Sequence, residues 1–470
     1  MKKRWIIATL MASLLTSCMV GPKYRRPAVN PPDVFRGSPD ATPPTELTSL
    51  ADLKWFEVFK DERLQELVRT ALVANYDLRE SVARVDAARA NLGITRADQF
   101  PTIAASGDIT TFRNSANGAL PLPAGLEQKR TFGSVALNLL SFELDIWGRL
   151  RRATEAARAD LLASEENRKA VITTLVSDVA SSYFNLIELD LELEIAKRTL
   201  TTREGSLQLI RAREQGGVAT LLEVRQGEQL VYTAQQAIPN TEQLIELTEN
   251  QISLLLGRSP GAVTRGRSLT DQEQPPAVPA GVPSSLLERR PDIRAAEQNL
   301  VAANAIIGVA KAAYFPQISL TGFLGFQSNQ LSDLFTGPTK AWQFVPQLTQ
   351  PIFTAGRIGS NVRLARAQQQ ISLIQYERAI QTAFREVSDA LIQYRKVREI
   401  RAKQDLLVTT LQDRSNLAYM RYRGGVDTLL NALDADRDLF DAEVGLAQTR
   451  RNELLVLVQL YKALGGGWQQ

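Results

Sequence analysis

The chain has 470 residues, no histidine and one cysteine, Cys18, which excludes serine–histidine and cysteine–histidine nucleophile pairs, histidine metal sites, disulfides and cysteine clusters. Lysine plus arginine number 55 against 51 acids; Lys2, Lys3 and Arg4 precede Cys18 with no acid beside them, so a chain cut there carries 52 − 51 = +1. The pI near 9.1 is therefore no sign of nucleic-acid binding, and 44% hydrophobic with 23% charged residues is not the composition of a disordered chain.

Residues 1–17 read as a secretory signal: a basic start, a short apolar run from Trp5 to Leu15, and small residues before a cut site. The run is too short to span a bilayer as a helix. Leu15-Thr16-Ser17-Cys18 resembles the bacterial lipoprotein box, in which the cysteine is lipidated and becomes the new N-terminus. The alternative is an ordinary signal with a chance cysteine. Lipid on Cys18 would anchor the chain, each buried CH₂ adding about 0.8 kcal/mol. Met19 rather than Asp at the next position favours the outer membrane, by resemblance to lipoprotein sorting. Residues 18–60 form an extended segment, Pro-rich from Pro22 to Pro44.

Beyond residue 60 the chain reads as one unit written twice. Asp77-Leu78-Arg79 recurs as Asp292-Ile293-Arg294, Gly93 as Gly308, and Phe100-Pro101 as Phe315-Pro316, each 215 apart. Gly148-Arg149 recurs as Gly356-Arg357, Gly217-Val218 as Gly425-Val426, and Thr220-Leu221-Leu222 as Thr428-Leu429-Leu430, each 208 apart. Repeat 1 covers 61–270, the linker 271–285 contains Pro275, Pro276, Pro279 and Pro283, repeat 2 covers 286–462, and 463–470 is a tail.

Each repeat opens with a helical stretch, Leu64–Gln99 or Leu286–Tyr314, stopped by Phe-Pro. Two strand-like runs follow, predicting β-hairpins over about 102–144 and 317–353. Long helices then fill 148–256 and 356–462, each pair broken by a Gly-Gly turn. Ile172, Val179, Leu186, Leu193, Leu200 and Leu207 lie seven apart, with Leu175, Leu189, Ala196 and Ile210 as the companion set. Leu433, Phe440, Ala447, Leu454 and Tyr461 repeat the spacing. A sustained period of 3.5 predicts supercoiled helices. A compact bundle is the alternative, but a ~65-residue helix would be about 100 Å long, too long to pack against itself in a globule.

The strand-like runs are free of charge: Thr102–Gly107, Thr131–Phe142, Ala312–Ser332 and Ala341–Gly356. They alternate. Val135, Leu137 and Leu139 oppose Ser134 and Asn138; Ile318, Leu320, Leu324 and Phe326 oppose Gln317, Ser319 and Thr321; Trp342, Phe344 and Leu348 oppose Gln343, Gln347 and Thr349. Charge-free, period-two segments of about ten residues are the signature of transmembrane β-strands. A bilayer tolerates no open sheet edge, and four strands cannot close a barrel, since known ones start near eight. Copies must therefore combine, and three would supply twelve strands. The expected fold class is mixed membrane α/β: a four-stranded sector of a trimeric twelve-stranded barrel, with long coiled-coil helices forming a tunnel.

Three segments carry a family resemblance: Cys18 to Pro27 (CMVGPKYRRP), Leu287 to Glu297 (LERRPDIRAAE) and Arg421 to Ala435 (RYRGGVDTLLNALDA). In this order, with the repeat, they resemble the TolC/OprM-like outer-membrane factors, exit ducts of tripartite efflux systems. The resemblance implies a homotrimer, a periplasmic helical tunnel, a periplasmic adaptor protein, an inner-membrane pump, and outer-membrane lipid around the barrel. It implies neither nucleic acid nor any cofactor beyond the lipid on Cys18.

By the same resemblance, the turns Gly216-Gly217-Val218 and Gly424-Gly425-Val426 form the periplasmic tip that docks the adaptor; plain helix caps are the alternative. Leu430 and Asp434 match the family's innermost constriction, where three leucines would obstruct passage and three carboxylates would select against anions. Favourable placement near a helix N-terminus is the other reading of Asp434. Some members carry a second aspartate where this chain has Asn431. Glu223 and Tyr422 match positions that hold the tip closed by polar links, with Arg421 as an alternative donor. Asp427 stands where some relatives have arginine.

Asp434-x-Asp436-x-Asp438 fails as a calcium loop, because Leu439 occupies the glycine position and Gly445 the twelfth. No phosphate loop, dinucleotide fingerprint or nucleophile elbow is present, so no catalytic or metal residues are assigned and an enzyme is not expected. Only Met19 and Met420 survive processing, leaving no thioether path for copper or silver. The expected cargo is drugs or other toxic small molecules. The competing readings are a non-conducting coiled-coil lipoprotein of the envelope and an exit duct for protein secretion.

Overall fold

The computed structural model describes residues 19–29, 31–32, 34–37, 50–115, 127–272 and 283–468. The signal, Cys18 and the linker prolines Pro275, Pro276 and Pro279 lie outside the described residues. The main elements are α1 (Glu62–Ala74), α2 (Tyr76–Ala97), β1 (Ile103–Arg113), β2 (Lys129–Glu143), α3 (Arg149–Gln215) and α4 (Leu221–Leu255). After them come α5 (Pro291–Ala312), β3 (Gln317–Ser328), β4 (Lys340–Thr349), α6 (Arg357–Arg423) and α7 (Leu429–Ala463). The chain divides into two compact units.

The opening helical stretch of each half is broken rather than continuous. In the first half, Asn75 interrupts it: its side chain accepts from Leu78 N at 3.0 Å and donates to Leu255 O at 3.0 Å, so it starts a new helix. In the second, Pro291 confines Arg290 to extended backbone (φ −74°, ψ 120°), separating the single turn Leu286–Arg289 from α5.

One unit comprises residues 1–27, 85–163 and 296–376 and holds the sheet. Its strand order is β1-β2-β3-β4, antiparallel throughout. A bulge in β2 between Leu139 and Phe142 shifts the register by one residue. The segment after Cys18 is strapped to this unit. Val20 N donates to Trp147 O at 3.0 Å, the buried Arg152 donates to Val20 O at 3.2 Å, and Asn304 donates to Pro22 O at 3.1 Å.

The other unit comprises residues 28–84, 164–295 and 377–470. Its core is the heptad set: Ile172, Leu175, Val179, Leu186, Leu189, Ala196, Leu207 and Ile210 are buried, as are Leu433, Ala447 and Tyr461. The most apolar window of α3 would suit a membrane span by length and composition, yet 61% of it is buried within the protein, as expected of coiled-coil core. Asp61 caps α1 by accepting from Arg63 N at 2.9 Å and Leu64 N at 3.2 Å. It also accepts from the Tyr183 hydroxyl at 2.9 Å, Arg267 N at 3.0 Å and Gln272 Nε2 at 2.9 Å. Burial pushes the Asp61 carboxyl up, but the hydrogen bonds from Gln272, Arg267 and Tyr183 outweigh it and hold the group below the usual carboxylate range.

Candidate functional site

Two regions have geometry that bears on function: the sheet face and the helical tips. In the sheet, antiparallel register places same-face residues opposite one another. Ile103 faces Leu139, and Ala105 faces Leu137. Val135 faces Phe326, Leu137 faces Leu324, Leu324 faces Trp342, and Ile318 faces Leu348. One face of all four strands is thereby apolar, and it is not covered: Ile103 is 68% exposed, Trp342 72% and Leu348 65%. Soluble monomers rarely leave so large an apolar surface open. The opposite face is polar, with Asn138 donating to Ser106 at 2.8 Å and Ser134 hydrogen-bonded to Asp108. β1 and β4 each have one neighbour in the sheet, so both outer edges carry unpaired backbone groups among the described residues.

The two tips share one backbone. Val218 N donates to Arg213 O at 2.9 Å and Gly217 N to Glu214 O at 2.9 Å. The equivalent bonds run from Val426 N to Arg421 O at 3.1 Å and from Gly425 N to Tyr422 O at 3.0 Å. Both are Schellman caps, with Gly217 and Gly425 each at φ 74°. The left-handed conformation is why glycine stands there. Val218 and Val426 project at 67% and 66% exposure.

Leu430 and Asp434 lie one turn apart on α7. Leu430 is exposed, and Asp434 faces Arg437 at 3.4 Å. The structure brings this pair to one helix face. It does not hydrogen-bond Tyr422 to Glu223. Glu223 instead completes a capping box at the start of α4, its carboxylate accepting from Thr220 N at 2.6 Å and from the Thr220 hydroxyl at 3.1 Å. Tyr422 is buried, its hydroxyl has no hydrogen-bond partner among the described residues, and the Arg213 guanidinium sits 4.6 Å from its ring centroid. Burial raises its pKa, and nearby Glu223 pushes the same way while Arg213 opposes. Arg421 is engaged by Asp427 at 3.0 Å. Hydrogen bonds from Arg421, Asn431 and Thr428 hold the Asp427 carboxyl low.

Beneath the tips lies an ion pair that the pattern reading passed over. Arg203 Nε donates to Asp436 at 2.7 Å, with the side chains only 2% and 7% exposed. Arg203 also donates to Leu230 O at 3.1 Å and lies 5.2 Å from the Phe440 ring centroid. The signal was available: Arg203 is seven residues after Ala196, in the companion set of α3, and Asp436 is three after Leu433 on α7. Both are charges at positions the heptads reserve for core. On α3, α4 and α7, Leu207, Ile210, Val224, Val231, Leu429 and Ala432 form one buried apolar cluster. Asp438 is paired with Arg414 at 2.7 Å. Asp434, Asp436 and Asp438 thus each face an arginine, and no metal-holding acidic cluster occurs among the described residues.

An uncovered amphipathic sheet and long paired helices are the features of an envelope channel protein, and the comparisons with known proteins agree. The profile described as "Outer membrane efflux protein" matches residues 67–258 and 282–466. The chain is 38% identical over 473 residues to the toluene efflux pump outer membrane protein TtgC of Pseudomonas putida, covering 100% of this chain and 97% of that one. It is 36% identical to the cation efflux system protein CusC of Escherichia coli, covering 98% of each. The open-state structure of the Neisseria gonorrhoeae MtrE outer membrane channel superposes with a TM-score of 0.86 at 32% identity, covering 96% of this chain and 99% of that one.

The chain belongs to the outer membrane efflux protein family. It is an efflux channel of the Gram-negative outer membrane, a transport duct and not an enzyme.

Proposed function

We propose that three copies of this chain close a twelve-stranded barrel in the outer membrane and a helical tunnel in the periplasm. In this arrangement the protein is the exit duct of a tripartite pump for drugs or other toxic small molecules. One observation carries the proposal: a four-stranded sheet whose uncovered face is apolar and whose two outer edges are unpaired. In lipid, each unsatisfied backbone group costs several kcal/mol, so the edge of β4 needs the edge of β1 from the next copy. The two long helices of 67 residues and the two following helices of 35 support a repeated architecture. Lipid on Cys18 anchors the N-terminus.

In this reading the tips Gly216-Gly217-Val218 and Gly424-Gly425-Val426 receive a periplasmic adaptor, which links the duct to an inner-membrane pump. Leu430 and Asp434 form the resting constriction. Glu223 acts on the gate by capping α4, and Tyr422 by packing beneath the second tip.

The test is detergent-extracted protein in planar bilayers. A heat-modifiable trimer that conducts ions is expected, with Asp434→Ala and Glu223→Ala raising single-channel conductance. Unchanged conductance in both variants removes the gate assignment. A non-conducting species supports the coiled-coil scaffold instead.

A further inference from the structure

The apolar face of the sheet does not end symmetrically. At the hairpin ends, furthest along the strands from the flanking helices, three basic residues continue it. Arg113 and Lys129 face each other across β1 and β2, and both share the face of Ile103, Leu137 and Leu139 by the two-residue period. Lys340 opens β4 opposite Phe326, two residues before Trp342 on the same face. All three are exposed. Arg113 also donates to Gln128 at 3.4 Å, and Glu127 precedes Lys129 outside the strand. The opposite ends of the strands place no charge on this face: after the bulge, Phe142 faces Leu320, while Glu143 falls on the polar side with Ser319.

The three bases need not share a hydrogen-bonded row to share a level. Following the register, the row of Ile103 passes through Leu139 and Gly322 to Phe344, five residues short of Thr349. The row of Lys340 passes through Phe326 and Val135 to Gly107, six residues short of Arg113. Both ends of the sheet are thus staggered in the same sense by similar amounts, which is the shear of a tilted barrel. The strand ends, not the rows, then mark the membrane boundaries. From Lys340 to Leu348 and from Ile103 to Arg113, at ~3.3 Å per residue and a tilt of ~40°, the belt is ~20–25 Å tall, matching the apolar band of about 25 Å in outer-membrane barrels.

We infer that Arg113, Lys129 and Lys340 form a basic collar that binds the phosphates of the anionic glycolipid in the outer leaflet, with Trp342 seating beside the sugar–acyl boundary. This rests on the barrel reading above, which puts the apolar face in lipid and the hairpin ends outside. Charge complementarity selects the partner. A cationic ring directly above an apolar belt meets phosphate headgroups there, and arginine and lysine are the side chains suited to them. Arg130, the neighbouring base in β2, falls on the polar face by the same register and serves as the control.

The test uses the full-length lipoprotein trimer in detergent, with bisphosphorylated lipid A and dephosphorylated lipid A as probes, read by native mass spectrometry and by quenching of tryptophan fluorescence. Wild type retains the bisphosphorylated lipid preferentially. Each of Arg113→Gln, Lys129→Gln and Lys340→Gln weakens it by up to about fivefold, the triple variant abolishes the preference, and Arg130→Gln leaves it intact. Arg113→Lys restores binding if charge is the cause. Heat-modifiability and conductance are measured on the same samples. A triple variant that conducts as a trimer and still prefers the phosphorylated lipid overturns the collar and leaves the duct standing. A wild-type protein that neither forms trimers nor conducts overturns the barrel reading beneath it.

Discussion

The two tips are built on the same turn and locked by different chemistry. At the first, Thr220 and Glu223 close a reciprocal capping box on α4. At the second, Thr428 makes no side-chain cap on α7; Asp427 gathers Thr428 N at 2.8 Å, Asn431 at 2.7 Å and Arg421 at 3.0 Å. The first lock is local to its helix start. The second ties the end of α6 to the start of α7, the helix that carries Leu430 and Asp434. A repeated backbone has therefore diverged in how its two copies are held: the first start closes on a capping box, with the Arg211–Glu228 pair at 2.9 Å linking its helices further along, and the second closes on the Arg421–Asp427 pair at the turn itself.

The largest test of this difference lies just beneath the tips. Arg203→Leu strands Asp436 as a buried, unpaired charge at a core position of α7 and is expected to cost about 3–5 kcal/mol. The thermal midpoint of helix loss by circular dichroism reads it. Replacing both partners by Leu should recover much of the loss, and equal effects of the single and double variants would break the argument.

A smaller effect separates the locks. Thr220→Ala removes a helix cap and should cost about 1 kcal/mol, whereas Thr428→Ala, with no cap bond to lose, should be near neutral. Asp427→Ala should accelerate amide exchange over the first turn of α7 without changing the first turn of α4. Matching exchange at both tips would mean the locks are equivalent after all.

The smallest effect concerns pH. Glu188 is buried on α3, and that burial, reinforced by Glu192, pushes its carboxyl up to about 8 against the opposing pull of Arg451. Its folded value lies above its unfolded one, so the folded state binds the extra proton between about 4.5 and 8. Stability should therefore fall as pH rises through that window. Glu188→Gln should flatten the fall in a pH series of thermal melts; an unchanged slope would assign it to other groups.

How far the sequence alone could be read follows from the kind of signal each region carries. Strand periodicity was legible because side chains alternate along any extended chain, so Ile318, Leu320 and Leu324 declared their shared face before the register was known. The breaks at Asn75 and Arg290 were missed because a helical pattern continues across them; a single side-chain cap and a single proline decide them locally. Arg203 and Asp436 were passed over because each alone is merely a charge within a heptad, and only the approach of α7 to α3 makes them a pair. Glu223 and Tyr422 stand out in the sequence only through the family resemblance, and the capping bonds from Thr220 to the Glu223 carboxylate show only in the structure.

Composition, periodicity and glycine placement by themselves determined the alternating strands, the heptad helices and the two turns, because these depend on contacts within a few residues. Only the tertiary structure decided which charges are buried together and how the strands are offset. Those outcomes depend on distances between segments hundreds of residues apart, which a linear pattern does not encode.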